Sequence, residues 1–571
     1  MKKWKKGAAL LMAAGLMSTS LTGCGQLLQN AVSAVQEAAE STEASAVTRE
    51  NTEKTETPAQ EPAVAQPAQT ATGLPVLEKV FTVAYETSED YGACLVTGRC
   101  ESPILAPASA EQYPALATSL DAYTKEQMKS YNDTIADYKE QAEQEYKDAP
   151  ERFQDGMYYS TNYKVLPQRV DDTVVSFFSS YNDFTGGAHG MYGMQGENFN
   201  TQTGEKLMLS DVLNDLSNLN GLIKTELLAN YDPEQFDDLD NALSYYDVAV
   251  TESTATADND MGYVFPYNWA LTPNGIAFYF GPYALAAYAA GDQMVTLSYD
   301  RYADIFNPDY LPVSGNGCMV PFDWTLTGYD INGDGKPNTI TLDYDYDENY
   351  EAREALRINV DGMGSAATEE GLFGTDYEVT GYYVRTGDGR QYIYATENME
   401  NDYQDWYVFD LNGSEITYVD TTWFVRTVEV DSENNVAERM LTNPDDMVLA
   451  KRFDFLSSFS AVKDYYAGSD GMPVSDDPYY VVYSDAAQEP LVAKTQLAYV
   501  VLDSNGEETG ETGELNPGDT FRVYRTDGEK VLDVTLSDGT LGRLTITSAD
   551  YPCKIDGITD EDCVEQLWYA G

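Results

Sequence analysis

The sequence predicts an α+β N-terminal domain, an antiparallel sheet with packed helices, followed by a mostly-β C-terminal region. In the first half, strand-like stretches are interrupted by clustered helical patterns. After about Pro308, short alternating segments continue to the end of the chain. Strands interrupted by clustered helices are typical of α+β domains, whereas regularly spaced short strands are typical of sandwiches, barrels or propellers.

The predicted N-terminal domain spans residues 74–306. Its longest helix is predicted over about 109–147, because apolar or aromatic residues recur at three-, four- and five-residue steps. A second helix is predicted to start at Ser210, a good N-cap residue, with leucines along one face. A further helical piece is predicted near 233–246. Strands are predicted over 80–96, 156–166, 173–182, 191–200, 262–270, 275–280 and 293–299.

The chain after this domain is predicted to form two β-rich units, residues 307–488 and residues 489–571. Alternation of apolar and polar side chains is clearest in Thr339–Tyr346. Further strands are predicted over 378–385, 391–395, 406–410 and 416–419. Turn-forming pairs separate the strands at Asn332-Gly333, Asp334-Gly335, Asp388-Gly389, Asn412-Gly413, Asn505-Gly506 and Asp527-Gly528.

The first residues carry the parts of a secretory signal. Four lysines precede a short apolar run over residues 7–17, and small residues stand before Cys24. That run is shorter than the about 20 apolar residues that span a bilayer. The tetrad Leu21–Cys24 resembles the lipobox of bacterial lipoproteins, which implies a signal peptide over 1–23 and a lipid on Cys24. We expect the chain at the outer face of the bacterial cytoplasmic membrane; the alternative is an ordinary signal with an incidental cysteine.

The segment from Cys24 to residue 73 is predicted to be an acylated cysteine with a disordered tether. Residues 25–73 contain no aromatic residue and carry seven Glu against Arg49 and Lys54. Such a segment buries too little apolar surface to offset its chain entropy. Removal of residues 1–23 leaves 30 basic against 95 acidic residues, a net charge of −65. This charge argues against nucleic acid as a partner and favours cationic partners.

The cysteine and histidine content restricts the chemistry. Two close pairs, Cys94 with Cys100 and Cys553 with Cys563, are predicted as disulfides in an oxidising exterior. The single histidine, His189, excludes a centre built from several histidines. No hydrolase, zinc-protease or nucleotide-binding motif is present, so we expect no catalysis. The alternative is a cell-wall-modifying hydrolase, since 95 acidic residues allow an unrecognised carboxylate pair in the C-terminal half.

Two separated signatures carry a family resemblance. A GGAH turn at Gly186–His189 precedes an N-F-x-x-x-T-G strand at Asn198–Gly204, and the segment PYALAAYAAG follows at Pro282–Gly291. In this order they resemble the extracellular domain shared by RsiV-type anti-sigma factors and PdaC-type peptidoglycan deacetylases, over roughly residues 75–304. The resemblance implies a non-catalytic α+β domain outside the cell. RsiV-type versions bind lysozyme, and PdaC-type versions accompany a catalytic domain.

The resemblance and the charge together suggest a function. We expect a non-enzymatic cell-surface lipoprotein that binds a lysozyme-like cationic protein or a cell-wall glycan such as peptidoglycan. A deacetylase-associated role and a structural envelope spacer are the alternatives. We recognise neither a deacetylase domain nor a spanning helix next to the signatures, so the ligand class is carried over only weakly from the resembling proteins. His189 is expected to be a hydrogen-bonded structural residue of its turn.

A calcium-type loop is predicted at DINGDGKPN, residues 330–338. Gly335 permits the sharp turn, and oxygen ligands would come from Asp330, Asn332, Asp334, Asn338 and the carbonyl of Lys336. Position twelve of the loop is Thr341 and a strand follows, so an EF-hand is not indicated. The loop resembles the calcium turns between strands of integrin-type propeller repeats. The alternative is a polar double turn without metal.

Overall fold

The computed structural model describes residues 73–89, 92–252, 264–313, 315–347, 353–368, 379–399, 403–426, 428–430, 436–482, 490–567 and 569. The predicted signal peptide, Cys24 and the tether as far as residue 72 therefore lie outside the described residues. Within the described ranges, no helix is both long enough and apolar enough to cross a membrane.

The described residues contain one long helix and seven short ones. The long helix, α2 (Pro114–Asp148), buries a stripe that includes Leu116, Leu120, Tyr131 and Ile135. It starts later than predicted because Pro114 occupies its first turn, where the missing N–H is tolerated. The short helices are α1 (Pro107–Gln112), α3 (Pro150–Gln154), α4 (Leu209–Val212), α5 (Leu219–Asn230), α6 (Leu239–Leu243), α7 (Val248–Thr251) and α8 (Asp560–Cys563).

The predicted helix start at Ser210 is wrong. Ser210 lies inside the four-residue α4, which ends where Leu213 takes an extended conformation and forms a β-bridge with Phe306. Helix α5 begins only after Asn218. The buried contact of Leu213 with a residue more than ninety positions later interrupts the helical pattern, and no local signal in the sequence reports that contact.

A seven-stranded sheet forms the base of the N-terminal domain. It contains β1 (Leu77–Thr87), β2 (Cys94–Leu105), β3 (Tyr159–Val170), β4 (Val174–Phe184) and β5 (Met191–Asn200), joined beside β1 by β19 (Val436–Arg439) and then β18 (Val428–Val430). All pairs are antiparallel except β2 with β3, which is parallel. The sheet is thus mixed, because α2 carries the chain back across it between β2 and β3, as a parallel pair requires.

A second, three-stranded sheet completes the N-terminal domain. It contains β6 (Asn268–Thr272), β7 (Gly275–Phe280) and β8 (Gln293–Ser298), all antiparallel. Every residue of β7 is buried, which explains its unbroken apolar run. Helix α5 packs its Leu219, Ile223 and Leu227 into the same core. The prediction of an α+β unit is confirmed.

The remainder of the chain is almost entirely strand. One sheet contains β10 (Thr325–Tyr329), β11 (Asn338–Tyr346), β12 (Arg353–Val360) and β13 (Gly364–Ala367). The others are β9 (Cys318–Phe322), β14 (Val379–Arg385), β15 (Gln391–Asn398), β16 (Tyr403–Asp410), β17 (Thr417–Val425), β20 (Met447–Asp454), β21 (Ser458–Ala467), β22 (Pro473–Val474), β23 (Tyr480–Val482), β24 (Leu491–Val492), β25 (Leu497–Leu502), β26 (Glu508–Leu515), β27 (Thr520–Thr526), β28 (Val531–Leu536), β29 (Leu541–Ser548), β30 (Lys554–Ile555) and β31 (Ile558–Thr559). The predicted turn pairs lie between consecutive strands, so these turns are confirmed.

The two predicted β-rich units share one antiparallel series of strands. The spatial order is β9-β14-β15-β16-β17-β20-β21-β23-β27-β28-β29-β25-β26. One apolar core contains Phe455, Leu497 and Val534, which come from both sides of residue 489. The predicted boundary at 488 therefore does not separate two cores. Turn signals in the sequence mark where strands end, but pairing between distant strands decides which strands share a core.

A network of charged side chains links β1 and β2 of the N-terminal sheet to β19, the strand from later in the chain that pairs with β1. The side chain of Glu101 on β2, 5% exposed, contacts Lys79 at 3.4 Å and Arg99 at 3.1 Å. Lys79 also reaches Glu438 of β19 at 3.7 Å, which Arg426 contacts at 2.9 Å. Burial raises the pKa of Glu101, but the nearby cations outweigh burial and hold that pKa below its ordinary value.

We expect Glu101→Gln to lower the free energy of unfolding by about 1–2 kcal/mol at pH 7, because the partly exposed Lys79 and Arg99 lose a charged hydrogen-bond partner while Lys79 keeps Glu438. Since the folded-state pKa of Glu101 is lowered, its stabilisation is present above the ordinary glutamate pKa and is lost as the pH falls through the folded value. Urea unfolding of both proteins at pH 7 and pH 3 should show the two stabilities converging in acid.

The control for this prediction is Asp133→Asn, which breaks an exposed ion pair with Lys129 on α2. This variant should keep the unfolding midpoint of the unmodified protein at both pH values, because exposed ion pairs contribute little. A Glu101→Gln variant as stable as the control at pH 7 would contradict the role given to the network.

Candidate functional site

The two family signatures meet in one stack of rings. His189, from the turn between β4 and β5, stacks on Tyr288, with ring centroids 5.2 Å apart and planes inclined by 23°. Tyr288, from the loop between β7 and β8, contacts Tyr283 of the same loop at 5.3 Å. Segments almost 100 residues apart in the sequence therefore form a single surface feature.

The contacts of His189 differ from the expected hydrogen bond. Among the described residues, its Nδ1 atom is buried and has no hydrogen-bond partner. The hydroxyl of Tyr288 likewise has none. The imidazole is thus held by ring stacking rather than by a hydrogen bond at Nδ1, and it supports the loop that carries Tyr283.

Tyr283 is both strained and exposed. Its φ is +66°, in the left-handed region that favours glycine, and its side chain is 50% exposed. A tyrosine in this conformation costs about 1–2 kcal/mol relative to an ordinary one. Because no burial of Tyr283 offsets this strain, the residue is a candidate ligand contact.

Tyr283 borders a groove of about 860 Å³ within the N-terminal domain. The walls come from β5, β6, the segment that precedes β6 and the segments that follow β5 and β7. The volume suits an organic ligand of several rings. The aromatic lining consists of Tyr181, Tyr245, Tyr246, Phe265, Tyr267, Trp269, Tyr279 and Tyr283. Sequence reasoning missed this groove, although the Pro-Tyr pair of the second signature marks its rim.

The floor of the groove is built by a close approach of β5 to β6. A side chain at Gly196 would collide with the carbonyl oxygen of Trp269. Asn198, 2% exposed, donates from Nδ2 to the same carbonyl at 3.0 Å and accepts from the Leu271 N–H at 2.8 Å. The asparagine of the N-F-x-x-x-T-G motif therefore joins β5 to β6 and holds the floor of the groove in place without a ligand.

The groove carries almost no charge in a strongly acidic chain. Among the described lining residues, only Lys206 and Glu252 are charged. Lys206 is paired with Glu197 at 2.6 Å, and Glu252 accepts from the Ser210 N–H at 2.8 Å. The remaining wall offers ring faces, amides and hydroxyl groups, which bind neutral ligands by stacking and hydrogen bonding.

Three ionisable side chains at the groove have raised pKa values. Burial raises the pKa of Asp292 above its ordinary value. Burial, followed by the charge of Asp292, raises the pKa of Tyr192 to about 12 and also raises that of Tyr279. The two phenols therefore stay neutral at physiological pH and can donate hydrogen bonds.

The calcium-type loop connects β10 to β11, between strands as predicted. The Asp330 carboxylate accepts from the N–H groups of Gly333 at 2.7 Å, Asp334 at 3.1 Å and Gly335 at 2.8 Å. The Asn338 side-chain oxygen accepts from the Ile331 N–H at 2.7 Å, so this predicted ligand serves the loop backbone.

The other predicted calcium ligands, Asn332, Asp334 and Lys336, are exposed along this loop. Within the described residues, no group of three or more His, Cys, Asp or Glu side chains is arranged to hold a metal ion. Calcium binding stays a prediction that rests on the ligand spacing, and the affinity expected of such a loop is about 10⁻⁴–10⁻³ M.

We expect calcium at about ten times its dissociation constant to stabilise the protein by about 1.4 kcal/mol, because a ligand that binds only the folded state shifts the equilibrium. A thermal melt with and without millimolar calcium should show a rise of about 1–3 °C in Tm. Asp334→Ala should abolish the rise. Asp503→Ala is the control, since Asp503 forms a similar polar turn without a full ligand set. An equal rise in Tm in all three proteins, or no rise in the unmodified protein, would show that the loop is an ordinary turn.

The predicted disulfide between Cys94 and Cys100 is wrong. Both residues lie on β2, six residues apart, which places their Cα atoms roughly 20 Å apart in an extended strand. A disulfide needs Cα atoms within about 7 Å. All five described cysteines are free thiols. Cys553 and Cys563 lie in the same core, so their pairing under oxidising conditions stays a prediction.

A buried carboxylate pair lies in the β-rich region. Glu397 on β15 and Asp405 on β16 are directly opposite each other, and burial raises the pKa of both. Glu397 is fully buried, where it accepts hydrogen bonds from Tyr344 at 3.2 Å and Tyr407 at 3.4 Å. The two carboxyl groups stand side by side on one sheet face, whereas a glycosidase needs them on opposite sides of a sugar ring.

Comparisons with known proteins match the N-terminal domain. Residues 101–192 match a family model described as deacetylase PdaC, and residues 208–300 match one described as a protein of unknown function, DUF3298. A comparison with curated proteins finds no match. Two similar crystal structures are DUF3298 family proteins. One, from Bacteroides fragilis, is 18% identical over 42% of this chain and 96% of its own, with a TM-score of 0.31; the other, from Pseudomonas aeruginosa, is 18% identical over 43% and 100%, with a TM-score of 0.27.

Proposed function

We propose, from the premise that an RsiV/PdaC-type domain lies between residues 101 and 300, that this protein is a non-enzymatic surface lipoprotein that binds an extracellular macromolecule. The binding site is the aromatic groove, and Cys24 carries the lipid. The observation that supports the site best is Tyr283, a strained and exposed ring at the place where both signatures of the domain meet.

The lining of the groove favours a cell-wall glycan as its ligand. Sugar rings present flat faces of C–H groups that pack on aromatic rings, and their hydroxyl groups pair with amides and phenols. The exposed rings of Tyr283 and Tyr245 are available for such stacking. Because the groove is close to neutral, it offers no particular attraction to a strongly charged ligand.

A lysozyme-like cationic protein is the second candidate ligand, and the net charge of −65 favours it. Charge complementarity would accelerate its association with any acidic face of the chain and would make binding fall as salt screens the charges. The two ligands are therefore distinguishable, since stacking on neutral sugars depends little on ionic strength.

A hydrolase remains an alternative that the described residues support less well. The Glu397 and Asp405 pair lies side by side on one sheet, with Glu397 fully buried and held by Tyr344 and Tyr407. Such a pair is suited to stabilise the sheet interior through hydrogen bonds. A spacer role is the other alternative. It would not explain why Tyr283, a half-exposed residue, keeps a backbone conformation that costs free energy.

We expect soluble cell-wall glycan oligomers to bind the purified protein, and Tyr283→Ala to weaken this binding by about tenfold. The reason is that loss of one central aromatic contact typically costs about 1–2 kcal/mol. Isothermal titration calorimetry with the oligomers, and in parallel with lysozyme, at 50 and 300 mM salt would measure the affinities.

Tyr524→Ala is the matched control, because Tyr524 is an exposed tyrosine of the β-rich region. Tyr283→Phe keeps the ring and should retain glycan binding. Salt-sensitive binding of lysozyme, without binding of glycan, would favour the second candidate. A Tyr283→Ala protein that binds every ligand as the control does would move the site away from the groove.

We expect Cys24→Ala to release the protein from the membrane, because the thiol that would accept the lipid is gone and no helix of the part of the chain that the structure describes can hold it in a bilayer. Fractionation of bacteria that express either form, combined with labelling by a radioactive fatty acid, would measure this. An unlabelled wild-type protein, or a labelled Cys24→Ala variant, would contradict lipidation at this residue.

A further inference from the structure

A second cavity, of about 900 Å³, lies between the N-terminal domain and the β-rich region. It shares no lining residue with the aromatic groove. Its walls are the turn between β6 and β7, the end of β8, residues 311–313 and 315–316, the calcium-type loop and the turn between β14 and β15. A site here would therefore be separate from the one proposed above.

Arg385 projects into this cavity without a carboxylate partner among the described residues. It is the last residue of β14, opposite Cys318 of β9. Its guanidinium lies beside the Cys318 thiol, to which it donates a hydrogen bond, and near the phenols of Tyr383 and Tyr329. By contrast Arg301, in the same cavity, contacts Glu226 at 2.9 Å.

An arginine without a paired acid is conspicuous in a chain with 95 acidic residues. The guanidinium is partly withdrawn from water, so its charge is less well solvated than at the surface. An anion that entered the cavity would supply the missing partner. Lys336, exposed on the calcium-type loop, adds a second positive charge, while the carboxylates of Glu226, Asp300 and Asp330 also line the cavity. Glu226 is paired with Arg301, and the Asp330 carboxylate accepts from N–H groups of its own loop.

Tyr329 lines the cavity beside Arg385. Its ring packs against Tyr383, with centroids 4.6 Å apart, and its side chain is buried. Its hydroxyl is enclosed beside the Thr272 side chain. The Tyr383 hydroxyl donates to Gln391 at 2.7 Å. The two rings therefore form a fixed wall beside the guanidinium and leave the guanidinium as the group that meets a ligand.

We propose that this cavity binds an organic carboxylate, with the Arg385 guanidinium as the ion-pair partner. The planar fork of arginine matches a carboxylate by two parallel hydrogen bonds. The cavity is far larger than a carboxylate, and its other walls include amides and backbone at Asn274, Asn316 and Gly387. This combination fits the C-terminal end of a short peptide.

Calorimetry on the full chain with three probes tests the proposal. The probes are N-acetyl-alanyl-alanine, the same dipeptide as its C-terminal amide, and acetate. We expect the dipeptide carboxylate to bind and the amide to bind at least about tenfold more weakly, because only a carboxylate forms the strong charge-assisted bidentate pair with arginine. We expect acetate to bind more weakly than the dipeptide, because acetate lacks the groups that would contact the other walls. Equal binding of the carboxylate and the amide, or no binding of either, would overturn the proposal.

Variants assign the binding to Arg385. Arg385→Gln should reduce the affinity for the dipeptide carboxylate by about tenfold or more, and Arg385→Lys should recover only part of it, because lysine keeps the charge but lacks the fork. Arg522→Gln, at an exposed position of β27, changes the net charge equally and should bind like the unmodified protein.

Circular dichroism melts should show that the Arg385 variants keep the fold; if Arg385→Gln does not fold, Arg385→Lys carries the test. Undiminished binding in a folded Arg385 variant would overturn the assignment. Acetate binding as tightly as the dipeptide would support a carboxylate site and overturn its peptide specificity. Glycan binding in the groove should be the same in all these variants, so the outcome here is independent of the proposed function.

Discussion

The surface of the N-terminal domain depends on how closely β5 lies against β6. Gly196 allows the approach, since any side chain there would meet the Trp269 carbonyl, and the buried amide of Asn198 then holds the two strands together. With the strands fixed in this way, the loops that follow β4 and β7 lie next to each other. The stack of His189, Tyr288 and Tyr283 is the consequence at the surface, so one contact in the core determines the geometry of the groove.

Local signals in the sequence located most elements, and long-range contacts decided the rest. Strand β7 and the Asn-Gly and Asp-Gly turns were predictable, because an apolar run or a turn pair acts within a few residues. The end of α4 at Leu213 and the addition of β19 to the edge of β1 were not, because each depends on a partner far along the chain. The groove belongs to the second kind, as its rings come from segments between residues 181 and 284.

Electrostatics play opposite parts around Glu101 and around Arg385. Around Glu101 the cations Lys79 and Arg99 are compensated within the protein, which makes the network a structural tie between β2, β1 and β19. At Arg385 no described carboxylate fills that role. Without a paired acid, the guanidinium of Arg385 keeps its charge available for an anion that enters the cavity.

The two cavities also differ in which parts of the molecule build them. The groove is lined only by residues between 181 and 284, so its shape is set inside the N-terminal domain. The second cavity takes its walls from that domain and from the β-rich region, including the loop at Asp330. A ligand there stabilises the arrangement in which both walls are in place, and it is therefore coupled by linkage to anything else that favours that arrangement. Calcium in the calcium-type loop, which forms one wall, would therefore change the affinity of the cavity at Arg385. It would leave the affinity of the groove at Tyr283 unchanged, because the loop does not line the groove.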